Sequence, residues 1–415
     1  MQEPSNNGRA VCSTQSGSTM TSTAQTPHAS PAGESTAVEP NSAVSFCRKL
    51  AGRLSFLRRR PKRVFAPTPK TSQDRLDASL NDELLDATAI TSSDILAATE
   101  KGKTVLYLAY GSNLCKETFR GVRGIKPISQ VNVLVPSLRL TFDQPGIPYT
   151  EPCFANSARR IPDAPPSDPD KPRYHKDRWQ KGLVGVVYEV TMSDYAHIIA
   201  TEGGGASYHD ILIDCYVLPN ADTVPSTPTT APFKAHTLFA PTVTQDEART
   251  SDRISRPDPS YAQPSARYLK LITDGATECE LPAEYQEYLH NIRPYTVTTK
   301  RQAAGKALFT AIWMPFLMMI FGLSRKYSDD RGRAPKWLAR LTAMLFAGMW
   351  LSYDGVFKQV FGDGERTIGD EADGQAYEPY SDDAEKEGLL EDVIEVFDTV
   401  AGQGQTELKN SRSLV

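Results

Sequence analysis

At Thr104 the chain changes abruptly from polar sequence to the run TVLYLAYGSNL, and this run constrains the fold more than any other segment. Val105 through Tyr110 are all apolar or aromatic, and the triplet Gly111-Ser112-Asn113 stops the run. A short continuous apolar stretch closed by a turn signal predicts a buried strand that hands over to a loop. The domain around it must therefore contain a sheet.

NVLVPSLRLTF (132–142) alternates apolar and polar residues and predicts a second strand, GLVGVVYEVT (182–191) a third and SYHDILIDCYVL (207–218) a fourth. Between the third and fourth, Ser193 or Asp194 is placed to cap a short helix that runs to Glu202. HTLFA (236–240) continues the sheet, Ser265–Thr273 opens a helix or an extended segment, and PAEYQEYLHNI (282–292) predicts a short amphipathic helix. The expected class is α+β: a mixed β-barrel with short helices over 101–300, carrying polar insertions at 161–181 and 219–260.

The flanks differ in kind. Residues 1–100 are polar and rich in Ser, Thr and Pro, a composition that cannot bury enough apolar surface to offset the entropy of ordering. Within them, 48–63 hold a basic cluster with Phe and Leu interspersed, suited to anionic lipid, nucleic acid, an import address or a solvated linker. Residues 301–361 predict an apolar helical pair. Its first run has seventeen uncharged residues, 307–323, at the short limit of a membrane span, and its second is interrupted by Arg340 and Asp354. The remainder, 362–415, is expected to be an acidic tail; over 363–398, fourteen Asp or Glu face only Arg366 and Lys386.

Composition also narrows the chemistry. The six cysteines are scattered without a CxxC pair, which suggests neither a zinc site nor a disulfide framework. No HExxH, GxxxxGK[ST] or GxGxxG pattern occurs, so neither a metal nor any other cofactor is expected. No apolar run opens the sequence, so a cleaved secretory signal is not expected.

Two segments have the residue types of a reactive site. In Tyr110-Gly111-Ser112-Asn113-Leu114, the glycine lets the backbone turn tightly, and consecutive N–H groups form a nest for a carboxylate. The same triplet also serves as an ordinary strand-ending turn. In Thr201-Glu202-Gly203-Gly204-Gly205-Ala206-Ser207-Tyr208, a carboxylate stands where a helix ends against an apolar domain. Desolvation there raises a carboxyl pKa toward neutrality and suits it to move protons; the glycines equally form a flexible cap, and an isolated Glu beside a Gly run is more often a surface residue. Cys115 follows the loop with no histidine near it in sequence, and a buried structural thiol is expected.

Together these segments resemble the γ-glutamyl cyclotransferase family. LYLAYGSNL is similar to the family's opening strand and substrate loop, and VGVVYEVT followed by Glu202 and Tyr208 is similar to its central strand, catalytic glutamate and following tyrosine. PSARYLKLITDGATECELPAEYQEYLHNI resembles its late segment. The likeness covers about 104–293 and extends to fungal members associated with secondary-metabolite gene clusters. It departs in the glycine-rich turn Gly203–Gly205 and in the two insertions.

The resemblance implies that Glu202 is the acid–base residue and that Tyr110, Gly111, Ser112, Asn113, Leu114, Tyr208 and Tyr268 contribute to substrate binding. The implied reaction is intramolecular: the α-amine of a γ-glutamyl amino acid or conjugate attacks its own γ-carbonyl and releases 5-oxoproline. Simple γ-glutamyl amino acids are favoured over glutathione. The alternative is a ligand-binding scaffold that keeps the fold without turnover. The expected partners are a small γ-glutamyl molecule and, through 304–357, a membrane, with no nucleic acid. The middle loop, with Arg325, Lys326, Arg331 and Arg333, would stay on the cytoplasmic side, and Pro315 suits a bent, shallow insertion. This places the protein in the cytoplasm or on the cytoplasmic face of an intracellular membrane.

Overall fold

The apolar run at 104 forms β1 (Thr104–Ala109), buried throughout after its first residue. It pairs antiparallel with β5 (Leu183–Thr191), Tyr107 opposite Tyr188. On its other side β5 pairs antiparallel with β2 (Ser129–Val135), and β2 with β6 (His209–Val217). β6 pairs antiparallel with β7 (Pro232–Phe239), which contains His236–Phe239 of the predicted HTLFA extension. The order β1-β5-β2-β6-β7 closes into a barrel through one parallel pair, Tyr107 beside His236. Closure leaves no free edge for β1. The barrel interior and the helices against it share one apolar core that includes Leu106, Leu108, Val186 and Ile272.

This computed structural model describes residues 63–85, 91–160, 178–201, 209–239, 256–327 and 334–368, all in the compact unit that begins at Pro61. The expectations for residues 1–62, including the basic cluster before Arg63, for 161–177 and 240–255 of the two insertions, and for the acidic tail beyond Ile368 lie outside these residues; within the expected disordered 1–100, residues 73–78 and 92–100 are helical, and within the second insertion 232–239 form β7.

NVLVPSLRLTF is two strands rather than one. β2 stops at Val135, and β3 (Leu138–Ile147) leaves the barrel to pair with β4 (Glu151–Arg159) in a separate two-stranded hairpin. Pro136 has no N–H to give to a ladder, so the chain turns there. Without regular alternation, β4 gave no strand signal in the sequence; it is held by pairing with β3, which carries an irregularity between Thr141 and Gln144.

Two short helices precede the barrel, α1 (Gln73–Ala78), capped by Ser72, and α2 (Ser92–Glu100), which starts with a capping box between Thr91 and Asp94. After β5 comes α3 (Met192–Thr201). Its cap is Thr191, whose Oγ1 accepts from the Asp194 N–H at 3.0 Å, rather than Ser193 or Asp194. The helix starts two or three residues earlier than the side-chain pattern suggested. α4 (Ala266–Glu278) is capped by Ser265, and α5 (Ala283–His290) follows.

The predicted apolar pair is α6 (Lys300–Tyr327), with Pro315 inside it, and α7 (Lys336–Ser352). They build a second apolar cluster of Phe309, Leu317, Met349, Trp350, Tyr353 and Phe357 around Tyr149 from the β3–β4 turn. The first residues assigned to a solvated acidic tail, 363–368, are instead built into the structure: Glu365 is buried and paired with Arg256 at 2.8 Å. Their acidity is matched by Arg256 and Lys358, which composition alone could not pair with them.

Candidate active site

Where β1 ends, the Gly-Ser-Asn triplet becomes a single 3₁₀ turn, Ser112–Leu114. The Leu114 and Cys115 N–H groups close it on the carbonyls of Gly111 and Ser112, at 3.0 and 3.1 Å. Leu114 is fully buried and pins the turn to the core. Tyr110 is buried too, and its hydroxyl donates to the Leu238 carbonyl at 3.2 Å, tying the start of the loop to β7. Asn113 is buried with its Nδ2 donating to the Tyr107 hydroxyl at 2.9 Å. The loop is therefore a fixed ledge at the end of β1.

Helix α4 lies directly on this ledge. A Cβ at Gly275 would come within 2.4 Å of Leu114 C and Cys115 N, so only glycine allows the approach. One and two turns earlier the same helix presents Leu271 and Tyr268, and the Tyr268 hydroxyl would lie 3.4 Å from a Cβ on Gly111. That hydroxyl accepts from the Ala155 N–H at 3.1 Å, and the Tyr268 ring meets Phe154 edge-on at 5.1 Å. The structure thus brings Gly111, Tyr268 and Ala155 of β4 to one place. Ala155 was not legible as a site neighbour, because a backbone N–H leaves no mark on residue type.

A buried polar network supports the opposite side. Asp210 of β6, with a side chain 1 % exposed, accepts from the Tyr195 hydroxyl at 2.5 Å, from His236 Nδ1 at 2.9 Å and from the Leu85 N–H at 2.9 Å. Tyr195 belongs to α3, and its ring lies 6.0 Å from that of Tyr107, whose hydroxyl bonds Asn113. Burial, then the Asp210 carboxylate, push the Tyr195 phenol well above its ordinary pKa, so it stays a neutral donor. The network ties α3 to the 110–114 ledge. Residue type alone did not single out Asp210 and His236, because the same strands also carry His209, Asp214 and Lys234.

Glu202 and Tyr208 lie outside the described residues; α3 ends at Thr201, the residue before Glu202. Cys115 is buried, and burial raises its thiol pKa. Among the described residues no group of three His, Cys, Asp or Glu side chains is arranged to hold a metal ion.

Comparison with known proteins places two regions. A family model described as the AclK C-terminal domain matches residues 299–360, the span of α6 and α7. The chain is 31 % identical over 271 residues to the γ-glutamyl cyclotransferase gliK of Aspergillus fumigatus, covering 63 % of this chain and 89 % of that protein. It is 31 % identical over 272 residues to the γ-glutamyl cyclotransferase aclK of Aspergillus oryzae, covering 64 % and 92 %. Among solved structures, one titled γ-glutamyl cyclotransferase is 22 % identical with a TM-score of 0.32, covering 48 % of this chain and 92 % of that one.

Proposed function

The chain belongs to the γ-glutamyl cyclotransferase family, and on that premise we propose that it converts a γ-glutamyl amino acid or conjugate to 5-oxoproline and a free amine. The observation that carries this reading is the extent of the likeness to gliK, which takes in nearly all of that protein. Simple γ-glutamyl amino acids are placed ahead of glutathione on the extended loop pattern of the sequence.

In the proposed reaction the substrate's α-amine nitrogen attacks its γ-carbonyl carbon. A new C–N bond closes the five-membered ring while the γ-carbonyl oxygen takes up negative charge. Holding the glutamyl chain folded supplies much of the rate, because the attack is intramolecular. Glu202 takes a proton from the attacking nitrogen and delivers one to the departing amine as the old C–N bond breaks, so the carboxylate is regenerated and no water is consumed. Placement next to the last residue of α3 supports this role. Backbone N–H groups of Gly111, Ser112 and Asn113 hold the α-carboxylate or the oxyanion; fixed donors aimed at developing charge are among the largest contributions a site can make. The Tyr268 hydroxyl, beside Gly111, lends a hydrogen bond to the glutamyl group, and Tyr208 contributes to substrate binding as the family resemblance implies. Tyr110 and Leu114 hold the ledge in place. No step calls for a metal or other cofactor.

The purified full chain should release 5-oxoproline from γ-glutamyl-alanine, and Glu202→Gln should lose more than the ~10²-fold lower bound of acid–base catalysis. A panel with glutathione and a γ-glutamyl amine ranks leaving groups. A folded wild type that releases nothing from any of them would replace this reading with a ligand-binding scaffold.

The C-terminal pair is proposed to rest in the cytoplasmic leaflet of an intracellular membrane. Lys300–Ser324 is long and apolar enough to cross a membrane and is mostly exposed. Ile312, Phe316 and Met319 of α6 and Met344 and Leu351 of α7 are exposed large apolar side chains. Tyr327 and Trp337 pack edge-on at 5.6 Å where the two helices meet the basic turn, as amphipathic rings do at a headgroup boundary. Flotation of the full chain with vesicles containing anionic lipid tests this; soluble dimers that ignore vesicles would assign the face to a second copy.

A further inference from the structure

The turn between β3 and β4 ends in an unusual residue. Tyr149 has φ 63°, a left-handed conformation that bulky side chains rarely adopt. Its side chain is nevertheless enclosed, with the residue 1 % exposed. The enclosure comes from the C-terminal unit. Its ring meets Tyr353 edge-on at 5.6 Å and Phe309 at 5.8 Å. Its hydroxyl reaches the carbonyls of Gly362 and Phe357, at 2.7 and 3.0 Å, and its N–H donates to the Gly364 carbonyl at 2.7 Å. A Cβ on Gly364 would stand 2.9 Å from the ring, so the socket is fitted to this side chain. A backbone held in a sparsely populated conformation persists only where its surroundings over-determine it.

The strand leaving this socket runs to the proposed site. Glu151, two residues on, is buried and accepts from Ser265 Oγ and from Arg267 Nη2 at 2.6 Å, which fixes β4 to the start of α4. Ala155 then donates to the Tyr268 hydroxyl beside Gly111. The segment 363–368 grips the lead-in to α4 as well: the Gln263 N–H donates to the Glu365 carbonyl at 2.9 Å, and the Thr367 N–H to Gln263 Oε1 at 2.8 Å. Both walls that converge on Gly111 are thus anchored in the same C-terminal unit.

We propose that the C-terminal unit is a positioning element of the substrate site, with Tyr149 the positioning residue that sets β4 and, through it, the Ala155–Tyr268 hydrogen bond over the 110–114 ledge. The inference rests on the reading of that ledge as the γ-glutamyl site. It gives residues 299–368 a part in substrate affinity that is separate from any contact with a membrane. A tip free of its socket would let β4 slide or twist relative to α4, and the donor–acceptor pair beside the substrate would loosen.

The test is Tyr149→Phe in the full chain, which keeps the ring and removes the hydroxyl that links two carbonyls of the socket. Two measurements are made. Hydrogen exchange at the Ala155 amide should speed by about tenfold while amides of β5 hold their rates. KM for γ-glutamyl-alanine should rise about fivefold with kcat within about twofold, and Tyr149→Phe combined with Tyr268→Phe should be no worse in kcat/KM than Tyr268→Phe alone, because coupled residues are not additive. Unchanged exchange at Ala155 would overturn the proposal, and so would independent, multiplicative effects of the two substitutions. Exchange reports without any substrate: faster exchange in a chain that turns over no γ-glutamyl compound would retain the mechanical link while removing the assigned reaction.

Discussion

A Cβ on Gly275 would stand 2.4 Å from the backbone nitrogen of Cys115, so α4 meets the 110–114 ledge with no space for any side chain between them. In an exposed helix, replacing glycine with alanine helps by about 0.5–1 kcal/mol. Here the added methyl collides with backbone, and overpacking of a tight core costs about 1–3 kcal/mol. Gly275→Ala should therefore lower Tm by several degrees and raise KM, since the ledge is what must move. Calorimetry and initial rates on the purified variant check both parts.

Tyr268→Phe leaves the Ala155 N–H without its hydroxyl acceptor. A lost neutral hydrogen bond costs about 1 kcal/mol of stability. If Tyr268 also lends a hydrogen bond to the glutamyl group, kcat/KM should fall about tenfold, which corresponds to about 1.4 kcal/mol. Equal kcat/KM for the variant and the wild type would confine Tyr268 to packing.

Asp210 gathers three donors in the closed end of the barrel wall, from Tyr195, His236 and the Leu85 backbone. Asp210→Ala strands them, and each buried donor left unsatisfied costs about 1–3 kcal/mol. Asp210→Asn retains an acceptor oxygen and the shape, and should lose distinctly less. Urea unfolding of the two variants gives the comparison; equal losses would mean that packing volume, and not the acceptors, matters at this position.

The four described thiols, Cys115, Cys153, Cys215 and Cys279, are all buried. Burial raises the pKa of Cys115, and the thiolate is the reactive form, so alkylation of Cys115 near neutral pH should be slow in the native protein and fast in denaturant. Cys115→Ala should retain 5-oxoproline release. Peptide mapping after timed alkylation follows the first expectation, and abolished turnover in the variant would place a nucleophile where a packed thiol is expected.

Local pattern determined much of this protein. Apolar runs announced β1 and β5, an apolar-rich β-branched segment announced β6, the Gly-Ser-Asn triplet announced the turn after β1, and an unbroken apolar stretch announced α6, because side-chain burial and backbone freedom act over a few neighbouring residues. The motif resemblance pointed to the family that the fungal relatives share. Other features depended on partners distant in the chain. Pro136 divides one apparent strand in two because β3 finds its mate in β4. Glu365 is structural because Arg256 meets it from 109 residues earlier. Ala155 reaches Tyr268 across 113 residues through a backbone N–H that any residue but proline carries. Tyr149 tolerates a left-handed backbone because a socket made of residues more than 150 positions later closes around it. Such contacts arise from closing loops between distant segments, which leaves no periodic trace, and only the tertiary structure decided them.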